Sequence, residues 1–105
     1  MMTEQEERDN KWLATEVMEW YRWTTDEECI IIRNDWNPFH NIGQCFEYLV
    51  PVMNKEGFFL RLRQIDEKYE AQWYSSGKPM VYVFAVADTP EAAICLAVKR
   101  AWEEK

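Results

Sequence analysis

The sequence predicts an α+β fold: a three-layer α/β/α sandwich in which three helices cover both faces of a mainly antiparallel sheet of about four strands. Two segments, 29–32 and 80–86, are apolar on both strand faces, which is typical of strands that are covered on both sides. Three other segments carry apolar stripes at helical spacing and can supply that cover. Short turns between the last three strands require antiparallel pairing.

The first element is predicted to be a helix from about residue 3 to residue 23. Thr3 and Glu6 have the spacing of a capping box. An acidic segment at 26–28 then interrupts the helical pattern, and the β-branched run 29–32 indicates a short buried strand. The apolar stripe of the helix consists of Leu13, Val17, Trp20 and Tyr21.

A loop at 34–40 leads into the second helix. Asn41 can cap this helix, with Gln44 three residues further on. Pro51 removes one backbone hydrogen bond and clashes with the preceding turn, so we expect a kink or an early end there. Gly57 ends the helix in either case. The predicted buried stripe consists of Ile42, Phe46, Leu49, Val50 and Met53.

Three strands follow, at 58–64, 69–74 and 80–86, with turns at 66–68 and 75–79. The first two alternate between apolar and polar residues, so each has one face towards the core. The third is apolar on both faces and is therefore predicted to lie inside the sheet. One predicted face carries Phe58, Leu60, Leu62, Tyr69, Ala71 and Trp73, and the other carries Arg61, Arg63, Glu70 and Gln72.

The closing helix, at 87–102, has the clearest start signals in the chain. Thr89 is a good N-cap, and Pro90 then occupies the first helical position, where a missing N–H is tolerated. Glu91 suits the positive end of the helix dipole, and Lys99 and Arg100 suit its negative end.

Length and composition indicate one globular domain. The chain has 105 residues, of which 48% are hydrophobic and 15% aromatic. We assign residues 1–10 to an acidic N-terminal segment that can begin the first helix, and 11–105 to a single sandwich domain. No apolar run reaches the roughly 20 residues that span a bilayer, and the acidic start lacks the features of a secretory signal. We therefore expect an intracellular protein without membrane contact.

The net charge of −7 argues against nucleic-acid binding, because such a surface repels phosphate backbones. The order helix–strand–strand–strand–helix over 41–104 is similar to a double-stranded-RNA-binding module. However, such modules bind phosphates through a basic cluster at the start of the last helix, whereas here that start is acidic and apolar. The basic pair Arg61 and Arg63 can be neutralised by Glu70. A protein partner or self-association is compatible with this charge.

No motif in the sequence assembles a reactive centre, so we assign no catalytic, cofactor-binding or metal-binding residue and no cofactor. His40 and Cys45 are the one pair that suggests nucleophilic catalysis, but no cationic cluster surrounds Cys45 to lower its pKa. A zinc site built from Cys29, His40, Cys45 and Cys95 lacks the close ligand pairs that structural zinc requires. The cysteines are expected to be reduced thiols.

The loop residues Trp36, Pro38, Phe39 and His40 are the candidate interaction surface, because aromatic residues on loops suit interface hot spots. The alternative is that Trp36 and Phe39 fold back over the core, as large aromatic residues usually do. We favour this alternative.

Four segments resemble the phage ABA-sandwich domain family, a family of small phage and prophage proteins. They are residues 13–20, the Trp36-Asn37-Pro38 loop, Trp73 in its strand, and residues 88–97. The resemblance covers roughly residues 11–104 and departs from the family at Phe39, where a small hydroxyl residue is usual, and at Pro51. It implies an α/β/α sandwich and implies no activity, cofactor or catalytic residue.

Our leading hypothesis is a non-enzymatic phage or prophage accessory or structural protein that acts by protein–protein contacts in the cytoplasm of the bacterial host. One alternative is a small enzyme with a site around His40, which a deep cleft joining His40 to carboxylates would favour. Another is an acidic inhibitor of a basic host protein, which a single face of Asp and Glu would favour.

Overall fold

The computed structural model describes residues 3–19, 21–23, 28–30, 36–75 and 82–104. Helix α1 spans Glu4–Trp12 and continues through a wider π-helical turn at Leu13–Val17. Strands β1 and β2 follow, and helix α2 then runs through three consecutive segments. Strands β3 to β5 and helix α3 complete the chain. The bounds are Tyr21–Trp23 (β1), Glu28–Ile30 (β2), Ile42–Gln44, Cys45–Leu49 and Val50–Lys55 (α2), Phe58–Ile65 (β3), Lys68–Ser75 (β4), Tyr82–Ala87 (β5) and Pro90–Glu103 (α3).

Helix α1 begins as predicted and ends earlier. The capping box is confirmed: Glu6 N donates to Thr3 Oγ1 at 3.1 Å, and Thr3 N donates to Glu6 Oε1 at 3.2 Å. Glu19 adopts a left-handed backbone with φ of 56°, which ends the helix. The prediction of a helix to residue 23 is therefore wrong, because residues 21–23 form a strand.

Strands β1 and β2 form a separate two-stranded antiparallel sheet in which Arg22 lies opposite Cys29. The strand predicted at 29–32 thus begins at Glu28. It pairs with residues 21–23, which the sequence pattern predicts as helix. Residues 31–32 lie outside the described residues, as do the side chains of both strands.

The main sheet contains β3, β4 and β5 in that order, all antiparallel. Trp73 in the central strand β4 lies opposite Leu60 on one side and Val83 on the other. Within the described ranges β5 pairs only with β4, so the prediction that 80–86 lies inside the sheet is not confirmed. Residues 80–81 and the turn at 76–79 lie outside the described residues.

Helix α3 forms as predicted and packs closely on β4 and β5. Thr89 Oγ1 accepts a hydrogen bond from Ala92 N at 3.2 Å, and Pro90 lies at the first helical position. Both elements carry small side chains that are fully buried: Ala93, Ala97 and Ala101 on the helix, and Ala71 and Ala85 on the sheet. Because these side chains are short, the helix can approach the strands closely.

Helix α2 turns a different face to the core from the one predicted. Cys45, Leu49 and Met53 are fully buried, whereas Ile42 and Phe46 are exposed, so the predicted stripe is wrong at those two positions. The π-helical turn at 45–49, closed by Val50 N donating to Cys45 O, contains more residues per turn than an α-helix. The buried positions therefore recur at every fourth residue.

The helices α2 and α3 cover one face of the main sheet, and Lys99 Nζ of α3 donates to Asp9 Oδ1 of α1 at 3.0 Å. No described helix covers the opposite face, which we call the open face. The fold is thus α+β, with three helices and a three-stranded antiparallel sheet. A fourth strand in this sheet and a second helical layer are not confirmed. No helix in the described ranges has the length and apolar character needed to cross a membrane.

The buried face of helix α2 observed here predicts that two truncations lower the free energy of unfolding by different amounts. Leu49→Ala removes a fully buried side chain and should lower the free energy of unfolding by about 2–5 kcal/mol. Ile42→Ala removes an exposed one and should change it by less than about 0.5 kcal/mol. Urea unfolding followed by tryptophan fluorescence measures both values. Equal losses would contradict the assignment of the buried face.

Candidate functional site

The loop at 36–40, which is the candidate interaction surface, is hydrogen-bonded to helix α1. Trp36 Nε1 donates to the backbone oxygen of Asn10 at 2.8 Å, and Asn10 Nδ2 donates to Asn37 Oδ1 at 3.0 Å. Trp36, Pro38 and Phe39 are buried, so they close over the core. Of the four proposed residues, only His40 offers a side chain to solvent.

His40 lies in a cleft of about 570 Å³ between the start of α1 and the start of α3. Its Nε2 donates to Glu6 Oε2 at 2.5 Å. Lys68 Nζ and Asp88 Oδ1 form a second pair at 2.5 Å on the other side of the cleft. The cleft therefore brings His40 near the carboxylates of Glu6 and Asp88.

Hydrogen bonds hold the carboxylate of Glu6 in its ionised form. Partial burial raises the pKa of Glu6, but the bonds from Thr3 and His40 outweigh this effect, and the net pKa lies below its ordinary value of 4.5. The pair is accessible, since the His40 side chain is 46% exposed. This geometry ties the 36–40 loop to helix α1.

The cleft lacks a nucleophile among the described residues. The hydroxyls of Thr3 and Thr89 accept the capping hydrogen bonds of α1 and α3. Cys45 and Cys95 are fully buried beside one another, with their sulfur atoms 3.8 Å apart, and burial raises the pKa of the Cys95 thiol well above its ordinary value. Within the described ranges no group of His, Cys, Asp and Glu could hold a metal ion. The Cys29 side chain lies outside them.

The open face of the sheet is the largest feature that the sequence analysis missed. It carries aromatic residues on all three strands, and the most exposed are Tyr82 at 49% and Phe84 at 45%. Tyr82 and Phe84 pack side by side, with ring centroids 6.1 Å apart, and so do Phe59 and Tyr74 at 6.0 Å. Its exposed large apolar residues are Phe59, Ile65, Tyr74, Tyr82, Phe84 and Val86.

The two arginines of the open face are paired differently. Arg63 Nε donates to Glu70 Oε1 at 2.8 Å, as the sequence predicted, and Gln72 Nε2 donates to the same oxygen at 2.5 Å. These bonds lower the pKa of Glu70. Arg61 makes no ion pair with any described residue. It borders a shallow hollow of about 420 Å³ that is lined by Arg61, Gln72, Tyr74 and Tyr82.

The sequence of β5 contains a signal for the open face, because small and large side chains alternate along this strand. The side chains that point to α3 include Ala85, which is buried, and those that point away include Tyr82 and Phe84. Both sets are apolar, so a count of hydrophobic residues treats the two faces alike. The difference lies in volume: small residues suit a close helix contact, and large aromatic residues do not.

Comparison with known proteins gives one match. The family model described as phage ABA sandwich domain matches residues 11–98, which is more than half of the chain. No curated protein and no solved structure matches the chain.

The His40–Glu6 contact predicts a stability difference that depends on pH. A lowered folded-state pKa stabilises the protein above the unfolded value and ceases to do so as pH falls through the folded value. Glu6→Gln keeps the capping spacing and should be destabilising at neutral pH, with the difference from the wild type shrinking below about pH 4. Urea unfolding at several pH values measures this.

Glu7→Gln is the matched control, because Glu7 lies in the same first turn and is exposed. A loss for Glu7→Gln equal to that for Glu6→Gln, or a loss that stays constant through acid pH, would contradict the contact.

Proposed function

Because the chain belongs to the phage ABA sandwich domain family, we propose that it is a phage accessory or structural protein that acts by binding other proteins through its open face. The observation that carries this proposal is the cluster of large apolar side chains on one exposed side of a regular sheet. Strands hold these side chains in fixed positions, so the face is preorganised for a partner.

The composition of the open face fits a protein interface. Aromatic residues and arginine are enriched at the centres of such interfaces, where they contribute most of the binding energy. The exposed apolar area of the face is on the order of 400 Å², which is within the range of functional patches on monomeric proteins. The guanidinium of Arg61, which has no ion pair with a described residue, would add specificity for a partner carboxylate.

The open face also provides a place for the second helical layer of the predicted sandwich. We propose that a partner helix supplies this layer by packing across β3, β4 and β5. A fourth strand would pair with an edge of the sheet, at β3 or β5. Both features would complete the three-layer arrangement that the sequence predicts.

Protein is a better partner for this face than nucleic acid. Single-stranded nucleic acids bind where aromatic stacking is combined with several cations along the backbone. Here Glu70 neutralises Arg63 and Asp88 neutralises Lys68, which leaves Arg61 as the one cation without an ion pair among the described residues of this face. The net charge of the chain, −7, further opposes phosphate contacts.

An enzyme with a site around His40 is the second candidate, and the cleft that joins His40 to Glu6 favours it. We rank it lower because the described cleft has no free nucleophile. The inhibitor hypothesis requires carboxylates on one face, whereas exposed carboxylates occur in α1, in α2, in the β3–β4 turn and at the end of α3. We place the protein in the host cytoplasm, as the sequence analysis expects.

The proposal predicts that partner capture depends on the open face. Tagged wild-type protein and Phe84→Thr should be compared as baits in lysates of phage-producing cells, with quantitative mass spectrometry. At least one protein should be retained by the wild type and reduced about tenfold with Phe84→Thr, because the substitution removes an exposed ring while preserving strand propensity.

Leu62→Thr is the matched control, since Leu62 is an exposed apolar residue of β3 that lies on the other side of the sheet. It should retrieve the same proteins as the wild type. Identical sets from all three baits would overturn the assignment of the open face.

A further inference from the structure

We infer that the open face binds helix α2 of a second copy of this chain, so that copies associate head to tail. The inference rests on the proposed function and names the partner for the same surface. It is carried by a second exposed apolar surface on the same chain, whose size and charge match those of the open face.

This second surface is the outward side of α2. Ile42 and Phe46 lie one turn apart and are 37% and 50% exposed, and half-buried Val50 follows one turn later. We call these three residues the α2 stripe. The fully buried residues of α2 are Cys45, Leu49 and Met53, and Val50 also packs partly against the core. Ile42 and Phe46 are therefore the stripe residues that are exposed and available to a partner.

The two surfaces agree in size. The outer strands of a three-stranded sheet lie about 10 Å apart, and an α-helix with its side chains is about 10–12 Å across. Strands of eight residues extend about 25 Å, and a helix the length of α2 extends about 20 Å. One helix therefore covers the open face.

The two surfaces also agree in charge. Arg61 has no ion pair with a described residue, and the hollow beside it is open to solvent. Glu47 adjoins Phe46 on the exposed side of α2 and likewise has no ion pair with any described residue. When the α2 stripe lies on the aromatic rings, Glu47 is the group available to compensate Arg61.

The other described helices do not fit the open face. The exposed residues of α1 are charged or polar, among them Glu4, Glu7 and Arg8. The exposed end of α3 carries Arg100 and Glu103. Neither helix presents an outward apolar stripe, so α2 is the one described helix of a second copy that could replace water over the rings.

Face-to-face pairing of two open faces is less favourable. It would bring Arg61 of one copy, which has no ion pair with a described residue, towards Arg61 of the other, and like charges repel. It would also leave the α2 stripes exposed. Head-to-tail contact covers both surfaces of every copy except at the ends of an assembly, and it forms rings or filaments.

The contact should be weak. The open face offers on the order of 400 Å² per copy, about half of what a stable pairwise interface buries on each partner. We therefore expect association that increases with protein concentration.

Sedimentation velocity of the full chain, between about 10 and 500 µM, tests the inference. Wild-type protein should associate increasingly over this range. Phe46→Gln removes the centre of the stripe and Phe84→Thr removes a ring of the open face, so each variant alone should associate at least about tenfold more weakly. Leu62→Thr should behave as the wild type.

Mixing the two variants gives the decisive result. Phe46→Gln keeps an intact open face and Phe84→Thr keeps an intact stripe, so the mixture should form a 1:1 dimer that grows no further. A wild-type chain that stays monomeric, or a Phe46→Gln variant that associates like the wild type, would overturn the inference. Binding of the wild type to a single-stranded oligonucleotide that Phe84→Thr abolishes would overturn it as well.

These results separate the inference from the proposed function. A monomeric wild type that still captures a different protein through Phe84 would refute self-association and leave the proposed function standing. Loss of both self-association and Phe84-dependent capture would refute the two together.

Discussion

Close packing of alanines between helix α3 and the main sheet determines how the side chains of the sheet are distributed. Ala93, Ala97 and Ala101 of the helix and Ala71 and Ala85 of the strands beneath it are all fully buried. A helix that lies this close leaves little room for large side chains at the contact, so the aromatic residues of β5 lie on the opposite side. The open face is thus a consequence of the way in which the core is built.

The π-helical turn in α2 has a similar effect on the helical layer. It shifts the buried positions to Cys45, Leu49 and Met53 and leaves Ile42 and Phe46 in solvent. The turn lies just before Pro51, which has no N–H to donate to the carbonyl of Glu47, so the wider winding accommodates the proline without ending the helix. One chain therefore exposes apolar residues on two surfaces, one side of a sheet and one side of a helix.

Local signals in the sequence predict where most helices and strands begin. They predict less well which side chains are buried and which are exposed. Thr3 with Glu6, Asn41 and Thr89 marked three helix starts, because capping depends on residues a few positions apart. The end of α1 was missed because a left-handed Glu19 is rarely signalled by its side chain. The exposure of Phe46 and Phe84 could not be predicted from periodicity. It depends on helix winding and on which partner packs against a strand that is apolar on both faces.

Hydroxyl-radical footprinting of the wild-type protein at low micromolar concentration tests the central claim, that one face of the main sheet is open to solvent in the single chain. Oxidation rates of Phe84 and Phe59 should be many times greater than those of the buried Phe39 and Phe58. All four are phenylalanines with the same intrinsic reactivity, so the difference in rate reports exposure. Tyr82 should also react readily, while buried Trp73 should be protected. Protection of Phe84 and Phe59 equal to that of Phe39 would contradict the account.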